Sequence, residues 1–302
     1  MPIPIKLISL DIDGTLYEPK GSVVDLKKLA EFSLLLKKLR SKGVTTVLCT
    51  GKTPDYVEAF SEAYGFVGGK NTAHVTENGG IIFVYDSWKE HRYINLAELY
   101  ASKGADIKKV GLSITKATGA DLENKTSTIT VIPPENAAVT DEFYSRVKSI
   151  ITNLGYSVLT IEKIQALSEA SKILLASPED KIKPEVHKIG YDFFVECSAL
   201  GTNITPFPIC KGFGLAYVSR MHNAGLENVL SIADNSGDCT VFDLVGVPVA
   251  VANATPDTKE FVKKRGFVTK RKALDGVIDA MKLLLSANTK EKIIRKGKDV
   301  FV

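Results

Sequence analysis

Leu7-Ile8-Ser9-Leu10-Asp11-Ile12-Asp13-Gly14-Thr15 runs an apolar segment directly into two carboxylates, a glycine and a threonine. Residues 5–10 are short, apolar and followed by a tight turn, the pattern of a buried strand in a parallel sheet. Ligands of such sheets bind beyond the carboxyl ends of the strands, and there Asp11 and Asp13 would stand. Asp and Gly are also ordinary turn formers. Taken alone, the stretch reads equally well as a strand-ending turn, and the rest of the chain has to decide between the two.

Outward from this stretch, strand and helix signals alternate: strand 5–10, helix 25–42, strand 44–49, helix 54–64. That order implies βαβ crossovers and a parallel sheet. Pro54 suits a first helical turn, where its missing amide hydrogen costs nothing. The second strand, Val44 to Thr50, runs into Thr50-Gly51-Lys52, and a turn at Glu77-Asn78-Gly79-Gly80 opens the apolar run 81–85. Far along the chain Lys211 precedes Gly212, and the apolar run 228–233 ends in Asp234-Asn235-Ser236-Gly237-Asp238. Phe242 to Val245 and Val247 to Val251 read as a further strand, Asn253 to Pro256 as the start of a helix, and 275–285 as an amphipathic helix closing the core.

Between these landmarks, segments 127–132, 156–161, 172–176 and 193–197 read as strands, and 141–152 and 178–189 as helices. The spacing predicts a second, smaller α/β domain over 86–199, inserted into a core built from 1–85 and 200–302. Breakers at Asn203 to Pro208 read as the return linker. Hinges fall near Tyr85 and Gly201.

A strand-end acid pair, a strand-end Thr, a Lys and a final strand-end acid pair, in that order, resemble the haloacid dehalogenase superfamily of phosphatases and phosphotransferases. The Glu77–Gly80 segment is similar to that of members whose α/β cap is inserted after the second motif. The resemblance implies a Rossmann-like parallel-sheet core carrying a cap that selects substrate. It is nearest to the phosphoglycolate phosphatases and sugar-phosphate phosphatases. Two positions depart from the usual pattern: Ala233 precedes Asp234 where Gly is common, and Gly237 precedes Asp238 where Asn is common.

Phosphoryl transfer needs a nucleophile, a proton donor for the leaving oxygen and positive charge around the transferring oxygens. Asp11 is the candidate nucleophile, forming an aspartyl phosphate. Asp13 is the candidate acid and base for the two half-reactions. Thr50, the Gly51 amide and Lys211 are placed to hold the phosphoryl group, although Thr50 also reads as a helix cap before Pro54. Asp11, Asp234 and Asp238 around a phosphate dianion require compensating cations. Mg2+ fits a site made of Asp11, the backbone carbonyl of Asp13, and Asp234. By resemblance, Asp238 joins it directly or through water. Lys52 reads as added positive charge or as a solvated surface residue. On the cap no motif marks the selector; His91, Arg92, Lys116 and Lys125 are polar candidates.

With 302 residues and 44% hydrophobic content, the chain can bury substantial cores, and its net charge of +4 is too small and dispersed to argue for nucleic acid. No stretch is apolar for long enough to span a bilayer, and the start shows no signal-peptide pattern, so a cytoplasmic location is expected. The four cysteines have no CxxC spacing, which argues against zinc or a disulfide framework. Cys49 reads as a small core residue. The partner is then a small phosphorylated metabolite, with monomer and homodimer both open. The reading is a Mg2+-dependent phosphoric monoester hydrolase. A phosphomannomutase-like phosphosugar mutase and a non-catalytic phospho-ligand sensor remain as alternatives, separable by isomerisation and phosphate-release assays.

Overall fold

The structure is a computed structural model that describes residues 4–17, 25–67, 72–87, 90–102, 104–134, 137–198, 201–287 and 289–301. The first half runs β1 (Leu7–Leu10), α1 (Leu26–Ser41), β2 (Thr45–Leu48), α2 (Pro54–Tyr64), β3 (Thr72–Thr76), β4 (Ile81–Tyr85), β5 (His91–Asn95), α3 (Leu96–Tyr100), α4 (Ile107–Thr118), β6 (Asp121–Asn124) and β7 (Ile129–Ile132). Then come α5 (Asp141–Asn153), β8 (Val158–Leu159), α6 (Gln165–Ala176), α7 (Glu179–His187), β9 (Phe193–Cys197), β10 (Thr202–Pro206) and α8 (Lys211–Met221). The chain closes with β11 (Val229–Ala233), α9 (Cys239–Phe242), β12 (Val247–Ala250), α10 (Pro256–Lys263), β13 (Phe267–Val268), α11 (Ala273–Ser286) and α12 (Lys290–Phe301).

The core is a five-stranded parallel sheet in the order β13-β12-β11-β1-β2. β1 is an interior strand, next to the β2 edge, and its Leu7, Ile8 and Leu10 are fully buried, each worth roughly 1.5–3 kcal/mol over an exposed position. Its partners lie on opposite sides, β2 next in the sequence and β11 after the long insertion. β1 is therefore where the winding reverses, and a crevice opens beyond its carboxyl end. On one sheet face, Phe32, Leu36 and Leu39 of α1 and Val277, Met281 and Leu284 of α11 meet Ile8, Leu10 and Ile232. On the other, Phe213 and Leu215 of α8 and Leu167 and Leu174 of α6 join Leu7, Val47 and Val75 in one cluster.

A second five-stranded sheet, β6-β7-β10-β9-β8, is mostly antiparallel, and β3-β4-β5 form a smaller antiparallel sheet. Helices α4 and α5 cover one face of the second sheet through Val110, Ile114, Val147 and Ile151, packed on Ile129, Val131, Val195 and Ile204. The mixed α/β class, with a parallel-sheet core and a separate second sheet, is as read from the sequence.

Several element readings are corrected. Residues 172–176 are the second half of α6: Ile173, Leu174 and Leu175 sit on an amphipathic helix begun at Gln165, so the run was apolar by helical rather than strand periodicity. Residues 242–245 end the short helix α9 and turn, leaving the strand to 247–250. Asn203 to Pro208, read as a linker, begins in β10, the central partner of β7 and β9. Proline closes that strand at Pro206 rather than interrupting it. Strand β5 and helices α3 and α4 carried no sequence reading. The second sheet spans Asp121–Pro206, and the cap boundary read at 199–200 falls outside the described residues.

Candidate active site

Parallel pairing brings the predicted residues to one edge. Leu10 is level with Leu48 on β2 and Ile232 on β11. The next residues, Asp11, Cys49 to Thr50, and Ala233 to Asp234, thus leave the sheet side by side. Lys211 starts α8, and its ammonium reaches 2.9 Å from Asp11 Oδ1 and 2.6 Å from Asp238 Oδ1. All three side chains are buried. Carboxylate oxygens of Asp11, Asp234 and Asp238 lie within 4.8 Å of one another.

Gly14 makes room for this cluster. Its φ of +73° is left-handed, and a Cβ there would stand only 2.2 Å from Asp234 Oδ2, a steric clash. Thr15 donates its hydroxyl to Asp234 Oδ1 at 3.3 Å, while Asn253 Nδ2 donates to the Gly14 carbonyl at 2.7 Å. At the other acid pair, Asn235 Oδ1 accepts from the Gly237 amide and Asp238 Oδ2 accepts from the Asn235 amide, a reciprocal cap that aims Asp238 inward.

One buried cation faces three acids. Burial pushes the Asp11 carboxyl well above the usual carboxylate range; Lys211 opposes this, and the charges of Asp238 and Asp234 add to it. Asp234 is pushed up to about 7 by burial and by Asp238, against Lys211 and the Thr15 hydrogen bond. Burial favours the neutral form of Lys211, yet Asp11 and Asp238 hold it well above its ordinary value. The cluster is thus deficient in positive charge, and its oxygen-only donor set fits a hard divalent cation.

Other predicted residues take different places. Asp13 is exposed, outside the buried cluster, and pairs with Lys52 at 2.9 Å. Lys52 also lies 5.3 Å from the Tyr56 ring, so it belongs to the mouth of the site rather than to open solvent. Thr50 is buried and its hydroxyl accepts from the Lys52 amide at 3.3 Å. Thr53, not Thr50, occupies the N-cap position of α2. Cys49 is buried, and burial raises its thiol, in keeping with a core role. His91 pairs with Glu58 and Arg92 with Asp86 on β5, and Lys116 is exposed on α4. Lys125 does face inward: its side chain is buried beside Glu123 and Thr130.

Glu77 escaped the sequence reading as a functional residue. Glu77 and Asn78 are both left-handed, at φ 48° and 54°, a conformation costly for side-chain-bearing residues. The distortion turns the Glu77 carboxylate onto the turn between β6 and β7, where it accepts from Thr126 N, Ser127 N and Ser127 Oγ at 3.1, 2.8 and 2.7 Å. Meanwhile the Glu77 amide donates to Lys52 O, and that of Asn78 to Thr50 O. This loop ties the second sheet to the strand-end threonine. The missed signal was an acid beside Asn-Gly-Gly, which reads as turn chemistry alone.

The sequence matches the family model for haloacid dehalogenase-like hydrolases over residues 8–281. The chain belongs to that family. A phosphoglycolate phosphatase from Methanothermobacter thermautotrophicus is 23% identical over 281 residues, covering 92% of this chain and 98% of the relative. Among solved structures, a Thermoplasma acidophilum protein aligns with a TM-score of 0.62 at 18% identity, over 92% of this chain and 97% of that one. The sucrose-phosphatase of Synechocystis sp. PCC6803, solved with sucrose and phosphate, aligns with a TM-score of 0.58 at 14% identity, over 93% and 98%. This haloacid dehalogenase-like hydrolase is accordingly a phosphoric monoester hydrolase with an α/β cap inserted between its second and third motifs, and its acidic cluster is able to hold a metal. No helix among its described residues is long and apolar enough to cross a membrane.

Proposed function

We propose that the enzyme is a Mg2+-dependent phosphatase that hydrolyses a small phosphorylated metabolite, phosphoglycolate or a sugar phosphate, through an aspartyl-phosphate intermediate. The observation that carries this reading is the buried Asp11–Lys211–Asp238 ion cluster at the sheet's switch point, with Asp234 beside it. Asp11, Asp234 and Asp238 would hold the cation, which supplies the positive charge that the cluster lacks and offsets that of the phosphate.

Lys211 orients the Asp11 carboxylate and neutralises the phosphoryl oxygens. Asp11 attacks phosphorus; the bond from phosphorus to the leaving oxygen breaks, and Asp13 gives that oxygen its proton. Water then attacks the aspartyl phosphate, and Asp13 takes up the proton, returning Asp11 as a free carboxylate with inorganic phosphate released. Lys52 holds Asp13 at the mouth between these transfers. Thr50 and the Gly51 amide donate to phosphoryl oxygens. The names of the relatives, one acting on phosphoglycolate and one on a sugar phosphate, support the substrate classes.

The test is phosphate release across a panel of phosphorylated metabolites, with Mg2+ and after chelation, together with acid-quench trapping of labelled phosphoenzyme. Turnover that needs Mg2+ and label that vanishes in Asp11→Asn support the reading. Full activity after exhaustive chelation removes the metal, and label retained in the variant removes Asp11.

A further inference from the structure

A cavity of about 240 Å³ opens at the amino-terminal end of β2, lined by Arg40, Thr45, Thr46, Thr72 and His222. Thr45 and Thr46 begin β2 and Thr72 begins β3, whereas Thr50 of the active site follows the carboxyl end of β2. Helix α8 likewise starts with Lys211 in the active site and ends at its C-cap residue His222, roughly 16 Å away at about 1.5 Å per residue. The cavity and the acidic cluster thus lie at opposite ends of one strand and one helix.

The polar side chains on the cavity wall are a guanidinium, an imidazole and three hydroxyls. Arg40 stands half-buried in the last turn of α1 and gives one of its N–H donors to Gly65 O at 2.5 Å. Among the described residues no carboxylate pairs with it, and burial holds the guanidinium below its ordinary value with no acid raising it. His222 is in the same condition: burial lowers its imidazole, no acid opposes this, and its Nε2 is buried without a hydrogen-bond partner. Thr46 Oγ1, on a residue only 2% exposed, is without one too.

Further in, His74 lies two residues along β3 from Thr72 and so on the same face of the strand. Its Nδ1 accepts from the Leu48 amide at 3.0 Å, which leaves the ring proton on Nε2, and that atom is buried with no acceptor. Burial, then Arg40 and His222, push this ring down to about 3, so it stays neutral. Buried polar groups without partners call for them. Water would satisfy the hydroxyl and the imidazoles but would leave the guanidinium uncompensated, whereas an oxyanion answers both needs.

We propose that this cavity is a second anion-binding site, separate from the active site, which takes a small oxyanion through Arg40, Thr46 and His222. The ligand carries a phosphate or a carboxylate group, with acceptor oxygens for the two unpartnered side chains and negative charge for Arg40. The inference does not depend on the phosphatase reading, since none of these residues belongs to the acidic cluster, and its failure leaves that reading untouched.

The test uses the four histidines of the full chain, His74, His91, His187 and His222, labelled on their imidazole nitrogens and followed by nuclear magnetic resonance. Inorganic phosphate, sulfate and malonate are titrated in turn, with sodium chloride holding the ionic strength constant. Saturable shifts of His222 and His74 are expected, with His91 and His187 unmoved. Phosphate bound in the active site does not give this pattern, because Asp11, Lys211, Asp234 and Asp238 have no histidine among their recorded partners. Arg40→Gln weakens the apparent affinity at least about 10-fold, the size of a charge-assisted hydrogen bond. Thr46→Val, which keeps the side-chain shape, weakens it about 3-fold and serves if Arg40→Gln melts below the measuring temperature. Phosphate and sulfate binding more tightly than malonate assigns a tetrahedral oxyanion, and the reverse order a carboxylate. No saturable shift with any of the three at tens of millimolar overturns the proposal. So does a shift that keeps its full size in Arg40→Gln, or one that moves all four histidines together.

Discussion

At the strand ends of the parallel sheet, Lys211 holds Asp11 and Asp238 at 2.9 and 2.6 Å; on the second sheet, Lys125 lies 3.2 Å from Glu123 and from Thr130. Both are buried ammonium groups among oxygens. They arrive there differently. In the first group, the floor of the site, Asp11, Asp234 and Asp238 follow the ends of buried strands and Lys211 starts a helix, so their positions are set by where a continuous apolar segment stops. On the second sheet Glu123, Thr130, Asn203 and Glu196 lie within strands, with Lys125 just past β6, and only pairing across β6, β7, β10 and β9 gathers them. The floor is also unbalanced in charge, three acids to one lysine, whereas the row on the second sheet ends in one unmet carboxylate oxygen. A floor short of positive charge is suited to a dianion and a cation together.

The comparison breaks most sharply at Asp11. Asp11→Asn keeps the size but removes the nucleophile, and kcat is expected to fall by at least about 10⁴-fold while the far-ultraviolet circular dichroism is unchanged. Near-native turnover of the purified variant would take the nucleophile away from Asp11. Asp13→Asn should cost about 10²- to 10⁴-fold, and more for alkyl than for activated aryl phosphates, whose leaving oxygens need no proton. An equal loss on both classes removes the general-acid role.

Asp234→Asn should raise the Mg2+ concentration needed for half-maximal rate by about 10- to 10²-fold, with a smaller effect on the KM for substrate. A change confined to substrate KM would place Asp234 outside the metal site.

The smallest expected effect concerns stability. Asp234 and Glu196 both titrate near 7 in the fold, above the values of 3.8 and 4.5 that they hold when unfolded. The folded chain then binds protons more tightly than the unfolded one, so stability falls as pH rises from about 4 towards 7 and levels off above. The metal-free protein should melt several degrees lower at pH 8 than at pH 5.5, at about 1.5–2 °C per kcal/mol for a chain of this size. Mg2+ should recover much of the loss at pH 8 by binding only the folded state. A melting temperature that rises with pH in the metal-free protein, measured by calorimetry, contradicts the charge deficit of the floor.

The floor was legible because its signals are local. Leu7 to Thr15 shows a strand, its end and its acids in nine consecutive letters, and the same holds for Thr50, Lys211 and 234–238. The row on the second sheet was not. Glu196 stands inside Phe-Phe-Val-Glu-Cys, where a lone acid in a buried run was the available signal, and its neighbours in this row and at Gly237 are distant from it in the chain or unremarkable. Residues 172–176 misread for a related reason: five apolar-rich letters fit either periodicity, and packing of α6 against α8 decides for helix.

By itself the sequence determined the family, the α/β class, the strands that end in acids and the set of residues at the sheet edge, because hydrophobic runs and turn residues act over a few positions. Tertiary structure alone decided that Asp13 pairs with Lys52, that Glu77 latches the second sheet to Thr50, and that Glu196 fills the space over Gly237. Those are matters of register and close approach between segments far apart in the chain. Burial then gives them their force, since an unmet oxygen or an unbalanced charge matters only where water cannot reach it.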